Sequence, residues 1–202
     1  MPATFPVPTL THVCDLFVDL DPIRDMGQGR AGQRRIIPII GGQVTGPRLS
    51  GRILNLGADW QTIWSNGVAE LDTRYAIETD DGATVEIKNY GYRHGPAHVI
   101  AAIARGEEVP QSDYYMRTHA RLESGDPRYA WVNRTLFVGT GARKAGQVVV
   151  SLFAVELSFT NNTAAKIDRA NFVILSSRVS HAMMMSDRIY PKVLLYIFKR
   201  II

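Results

Sequence analysis

Between residues 57 and 95 the hydrophobic positions recur at every second residue, and two short polar clusters break the run: Ser65-Asn66-Gly67 and Asp80-Asp81-Gly82. Asn-Gly and Asp-Gly pairs tolerate the positive backbone angles of tight hairpin turns, so the block is predicted to be three antiparallel strands. In the middle strand Ala69, Leu71, Thr73, Tyr75 and Ile77 point one way. Glu70, Asp72, Arg74 and Glu78 point the other, because a strand has a period of two. Alternation by itself leaves open which set faces inward. On an ordinary half-buried strand the charged set faces water; in a barrel with a polar cavity it lines the inside.

The same pattern extends in both directions. Residues 10–20 read as a first strand ended by Asp21-Pro22, residues 26–32 as a Gly-rich mobile loop, and residues 34–40 as a second strand closed by Gly41-Gly42. Gly46, Pro47 and Gly51 suit a sharply bent strand or barrel corner. Residues 96–106 carry the one helix signal, with Pro at the start, an apolar stripe of Val99, Ile100 and Ile103, and Gly at the end. Strands are then predicted over residues 113–124, 129–139 and 148–157, with turns at 125–127 and 139–146. Many strands, short turns and one helix predict an all-β fold: an antiparallel β-barrel with one short helix.

Composition changes this picture little. The chain has 202 residues, 46% of them hydrophobic and 21% charged, which suits one globular domain. The single Cys14 leaves no internal disulfide framework. The start of the chain lacks the pattern of a secretory leader, which predicts a cytoplasmic protein, and no apolar run reaches the roughly 20 residues that cross a bilayer. Charge divides the chain more sharply. Residues 160–202 hold seven basic and two acidic side chains, whereas residues 1–159 hold 16 basic and 17 acidic. The expected organisation is therefore a barrel domain over 1–159 and a basic, partly apolar C-terminal extension over 160–202. The balanced body argues against nucleic acid as a partner; no membrane partner is expected, and a homo-oligomer is left open.

Six motifs in order carry a family resemblance: residues 46–51 (GPRLSG), 57–60 (GADW), 71–75 (LDTRY), 79–83 (TDDGA), 114–118 (YYMRT) and 129–133 (YAWVN). Together they resemble the domain-of-unknown-function 3237 family, also called uncharacterised protein family 0311, over roughly residues 10–157. The resemblance implies a small lipocalin-like β-barrel. Some fungal relatives look like isomerases or cyclases acting on aromatic polyketides or chalcones, which is the most concrete functional lead.

The candidate chemistry follows from the faces. If the charged face is inner, Asp72 and Arg74 share it, and Arg74 would hold a carbonyl, phenolate or carboxylate through its forked donors. Arg117 shares a face with Tyr115, His119 and Arg121. Trp131 shares one with Asn133, whose amide would orient a polar substrate group. Trp60 is a candidate aromatic wall, and Asp59 reads as the cap of its own turn. Tyr75, a further proton-transfer candidate, lies opposite Asp72 and Arg74. The expected site is thus Asp72, Arg74 and Arg117 for catalysis, with Trp60, Tyr115, His119, Trp131 and Asn133 binding substrate. His94 and His98 straddle Gly95-Pro96, which disfavours a zinc pair; no metal or cofactor is expected. The expected function is a cofactor-free isomerase, cyclase or dehydratase of an aromatic polyketide-type or chalcone-like molecule, acting by acid–base catalysis. The alternative is a non-catalytic barrel that binds a small molecule.

Overall fold

The computed structural model describes residues 5–157; the predicted extension over 160–202 lies outside them. Among the described residues ten strands form, in chain order β1 (Thr9–Leu20), β2 (Arg24–Gln28), β3 (Gln33–Thr45), β4 (Gly51–Ile53), β5 (Gly57–Ile63), β6 (Ala69–Thr79), β7 (Thr84–His94), β8 (Tyr115–Glu123), β9 (Leu136–Lys144) and β10 (Gln147–Glu156), with helix α1 (Ala97–Ala104) between β7 and β8. All pairings are antiparallel. β1 bonds to both β10 and β3, and the rest follow through β6, β7, β8 and β9. The short β4 and β5 share one place between β3 and β6. The result is a closed eight-stranded antiparallel barrel; a barrel of this size encloses just enough room for side chains or one small ligand.

The organising block folds as its turns predict. Ser65-Asn66-Gly67 sets the β5–β6 register and Asp80-Asp81-Gly82 the β6–β7 register, with Gly67 and Gly82 at φ 84° and 85°. The helix forms directly after Pro96, with Val99 and Ile103 buried against Ala69, Leu71, Tyr114 and Met116 at one end of the barrel. A larger apolar cluster, including Leu16, Ile77, Ile87, Phe137 and Leu152, fills the other end.

Three segments differ from expectation. The Gly-rich stretch at 26–32 is not all loop: β2 pairs with the start of β3, pinned by the Asp25 carboxylate accepting the Gly27 N–H at 2.7 Å. β3 does not close at Gly41-Gly42 but runs through them to Thr45. Gly42 adopts φ 133°, and a side chain there would collide with the Phe17 carbonyl of β1, so glycine lets the strand bend without leaving the ladder. The predicted strand over 129–139 is mostly two 3₁₀ turns, Pro127–Tyr129 and Val132–Arg134. Here side chains outbid the sheet for the backbone. Asp126 accepts the Arg128 N–H, Asn133 grips both the N–H and the C=O of Ser124 at 2.9 and 2.8 Å, and the Thr135 hydroxyl bonds the Trp131 carbonyl at 2.8 Å. The strand starts later, at Leu136, and continues through the glycines expected to form a turn.

Candidate functional site

The faces resolve in the direction that the apolar residues dictate. Leu71, Tyr75 and Ile77 are buried inside the barrel, while Asp72 and Arg74 stand exposed on its outer surface. Arg74 pairs with Glu86 there, and Asp72 contributes only its backbone N–H to the interior. Arg117 is likewise outside: it donates to the Met116 carbonyl and lies over the Tyr115 ring at 5.5 Å. The expected catalytic trio therefore stays out of the barrel interior, with Arg74 lining only an open depression on the outer face beside Trp60 and Glu86. Burying their charges would have required desolvation that the apolar alternate residues avoid.

The expected binding residues are dispersed as well. Tyr115 stacks on His94 and His119 leans on Tyr90, both on the outer face of the sheet. Trp60 is 43% exposed on the outer face of β5. Trp131 sits beneath the Arg48 guanidinium at 4.1 Å and against Phe137. Asn133 is the clamp on Ser124 described above. The structure does not bring these five together.

What it gathers instead is a polar chamber between the two apolar clusters. The inward residues of five strands meet there: Asp59 and Gln61 from β5, Thr73 and Tyr75 from β6, Asn89 and Arg93 from β7, Thr118 from β8 and Arg143 from β9. Leu71, Met116, Val148 and Val150 supply apolar wall. Small-molecule sites combine an apolar lining with a few convergent polar groups in this way. Thr118 fits because its cross-strand neighbours are Gly91 and Gly139; a side chain at Gly139 would displace its hydroxyl.

Asp59 is the one carboxylate among the described residues lining the chamber. It does not cap a turn. It lies within β5 opposite Thr73, and its Oδ1 accepts the Asp72 N–H at 3.2 Å where the β5–β6 ladder opens. The Gln61 amide donates to its other oxygen, and the Gln61 carbonyl accepts from Arg35 Nε at 2.8 Å. Burial pushes the Asp59 carboxyl above the usual carboxylate range, against the opposing hydrogen bonds of Gln61, Thr73 and Asp72 and the charge of Arg93. Arg93 is 8% exposed. Burial, with the like charges of Arg35 and Arg143 nearby, brings its guanidinium down to about 10, still charged at neutral pH.

Five buried side-chain polar atoms among the described residues have no hydrogen-bond partner: Tyr75 Oη, Asn89 Oδ1, Arg93 Nε, Thr118 Oγ1 and Arg143 Nη1. All five belong to residues that line this one chamber. Buried polar groups in folded proteins are nearly always bonded, so their convergence marks a place built to meet polar atoms from outside the chain. Neither the alternation nor the motifs mark Gln61, Asn89, Arg93, Thr118 or Arg143 as site residues. A usable signal existed: the Ser65-Asn66-Gly67 turn pairs Ile63 with Ala69 and hence Asp59 with Thr73, which places a carboxylate on the face that carries Ala69, Leu71 and Tyr75.

Among the described residues no group of three His, Cys, Asp or Glu side chains is arranged to hold a metal ion, and no helix is long and apolar enough to cross a membrane.

Fold and site together define a closed antiparallel β-barrel with a polar hollow at its centre. The chain belongs to the family described as protein of unknown function (DUF3237), whose model matches residues 8–155. A UPF0311 protein of Rhodopseudomonas palustris is 43% identical over 150 residues, covering 73% of this chain and 98% of the relative. A crystal structure of a conserved protein of unknown function from the same organism superposes with a TM-score of 0.70 at 41% identity, over 75% of this chain and 99% of the other. A β-barrel-like protein of Acinetobacter baumannii gives 0.67 at 41% identity, over 76% and 99%. An enzyme from Penicillium herquei shares the fold at a TM-score of 0.59 and 17% identity, over 77% and 100%.

Proposed function

We propose that the barrel binds an oxygen-rich, conjugated small molecule of aromatic polyketide or chalcone type in the central chamber and isomerises or cyclises it by proton transfer without a cofactor. The observation that carries this is the convergence of five unpaired polar atoms on the same hollow as a half-buried carboxylate. Asp59 takes the role first assigned to Asp72. With its pKa raised above the ordinary carboxylate range it is suited to accept a proton and to return it. Ionised Asp59 removes the proton from a carbon or hydroxyl conjugated with the substrate carbonyl. The charge that develops on the carbonyl oxygen is met by the unpaired hydroxyls of Tyr75 and Thr118, which line the chamber. The proton then returns at a different carbon, giving an isomer, or at the carbon α to the carbonyl after the freed oxygen has added to the conjugated alkene, giving a ring. Atoms balance without oxidant or reductant. The likeness to the Penicillium herquei protein speaks for the fold, so the chemistry rests on these side chains.

One observation favours a second reading, a non-catalytic binding barrel: the Asp59 carboxylate replaces a missing ladder bond by accepting the Asp72 N–H, which is a structural task. Screening hydroxychalcones and aromatic polyketide enones by absorbance, with calorimetry in parallel, separates the two. Catalysis predicts that Asp59→Asn binds a converted compound but loses turnover by 10²-fold or more. Binding that persists with no conversion of any compound by the unaltered protein supports the carrier.

A further inference from the structure

A second compartment adjoins the central chamber. It shares Ile37, Arg93 and Arg143 with it and continues toward the helix end of the barrel, where Ile100, Ile103 and Ala104 of α1 form part of its wall. Three guanidinium groups belong to it: Arg35, Arg93 and Arg143. None of the described residues lining it is acidic, and its other side chains are apolar.

The charges do not balance inside the protein. Three buried or half-buried guanidinium groups share one carboxylate inside the barrel, Asp59, and of the three only Arg35 also feels the exposed Asp25. Asp59 is already tied toward Arg35 through Gln61, and it accepts further bonds from Asp72 and Thr73. Arg93 and Arg143 remain at the waist between the compartments. Each keeps a buried N–H without a partner, Nε on Arg93 and Nη1 on Arg143. Leaving charged donors buried and unpaired is among the more expensive arrangements in a protein interior. A planar oxyanion, whose two oxygens accept from paired guanidinium donors, is the group that this geometry fits best.

Resting on the binding role proposed above, we infer that the ligand is an organic carboxylate, its conjugated part in the central chamber and its carboxylate held at the waist by Arg93 and Arg143. The isoleucine-lined wall decides against a free inorganic anion: an ion such as phosphate would give up its hydration to face Ile37, Ile63, Ile100 and Ile103, whereas hydrocarbon attached to a carboxylate covers them. Arg35 acts at one remove. Held through Nε by Gln61, it positions Asp59 and adds positive field.

The test compares aryl and cinnamyl carboxylic acids with their methyl esters, and with inorganic phosphate, by calorimetry on the full chain. The acids are expected to bind at least 10-fold tighter than their esters, and phosphate not at all. Arg143→Gln is expected to weaken the acids at least 10-fold while leaving the esters within about twofold. Equal binding of acid and ester, or equal losses of both in Arg143→Gln, overturns the inference but leaves the chamber a binding site. Binding of phosphate with neither organic series overturns the proposed function as well. Should Arg143→Gln fail to fold, the acid-to-ester ratio of the unaltered protein decides alone, supported by Arg93→Lys, which keeps the charge but loses the paired donors and is expected to reduce that ratio.

Discussion

At the scale of single residues, the chamber sets stability against function. Tyr75 carries a hydroxyl that is buried and unpaired, so Tyr75→Phe removes an unsatisfied group and keeps the ring. Urea unfolding is expected to show stability unchanged or raised by up to about 1 kcal/mol, while ligand affinity falls. A loss above about 1 kcal/mol would mean the hydroxyl is bonded in the native protein. Asp59 and Asp126 make an opposed pair in pH. The folded pKa of Asp59 is raised by burial, so its favourable contribution is complete below the ordinary carboxylate value and is lost as pH rises through the folded value. Catalysis needs the ionised form, so the acid limb of kcat/KM is expected to titrate above about 4; a limb at or below the ordinary carboxylate value would remove Asp59 as the base. Asp126, held down to about 2 by hydrogen bonds from Arg128, behaves in reverse. The Tm difference between the unaltered protein and Asp126→Asn is expected to be constant above pH 5 and to vanish as pH falls to about 2, and a difference independent of pH would show that the charge is idle.

At the scale of elements, the barrel depends on where strands bend and where they stop. β3 serves β1 and β4 with one half and β2 and β5 with the other, and Gly42 stands where its course changes. Gly42→Ala is expected to cost 2 kcal/mol or more in chemical denaturation, because φ 133° and the Phe17 carbonyl both exclude a side chain; a cost under about 0.5 kcal/mol would mean the strand bends elsewhere. The stretch 129–139 shows the limit of periodicity. Its Trp131, Asn133 and Thr135 alternate as in a strand, yet their hydrogen bonds to nearby backbone turn the chain into 3₁₀ geometry before β9 begins. The hairpins at 65–67 and 80–82 were legible because turn chemistry is local. The clamp of Asn133 on Ser124 was not, because it joins residues nine apart.

At the scale of the molecule, ring closure is what makes a site. A carboxylate from β5, an amide and a guanidinium from β7, a hydroxyl from β8 and a guanidinium from β9 are separated by up to 84 residues, from Asp59 to Arg143, and meet only because β1 pairs with both β3 and β10. A ligand that fills the chamber joins these strands from within. At 100 times its dissociation constant it is expected to stabilise the native state by about 2.7 kcal/mol, read as a rise in Tm. Arg93→Gln and Arg143→Gln are expected to shrink that rise in parallel. If a ligand raises Tm equally in all three proteins, it binds elsewhere.

The sequence by itself determined the fold class, the hairpin block, the helix after Pro96 and the family, because alternation, turn residues and motifs are properties of neighbouring positions. It also contained both faces of every strand but not the direction of either. Only the closed barrel decided that Asp72, Arg74 and Arg117 meet water while Asp59, Arg93 and Arg143 meet one another. The physical reason is that the apolar residues of all the strands had to share a single interior, and whichever polar residues lay on those faces were carried inside with them.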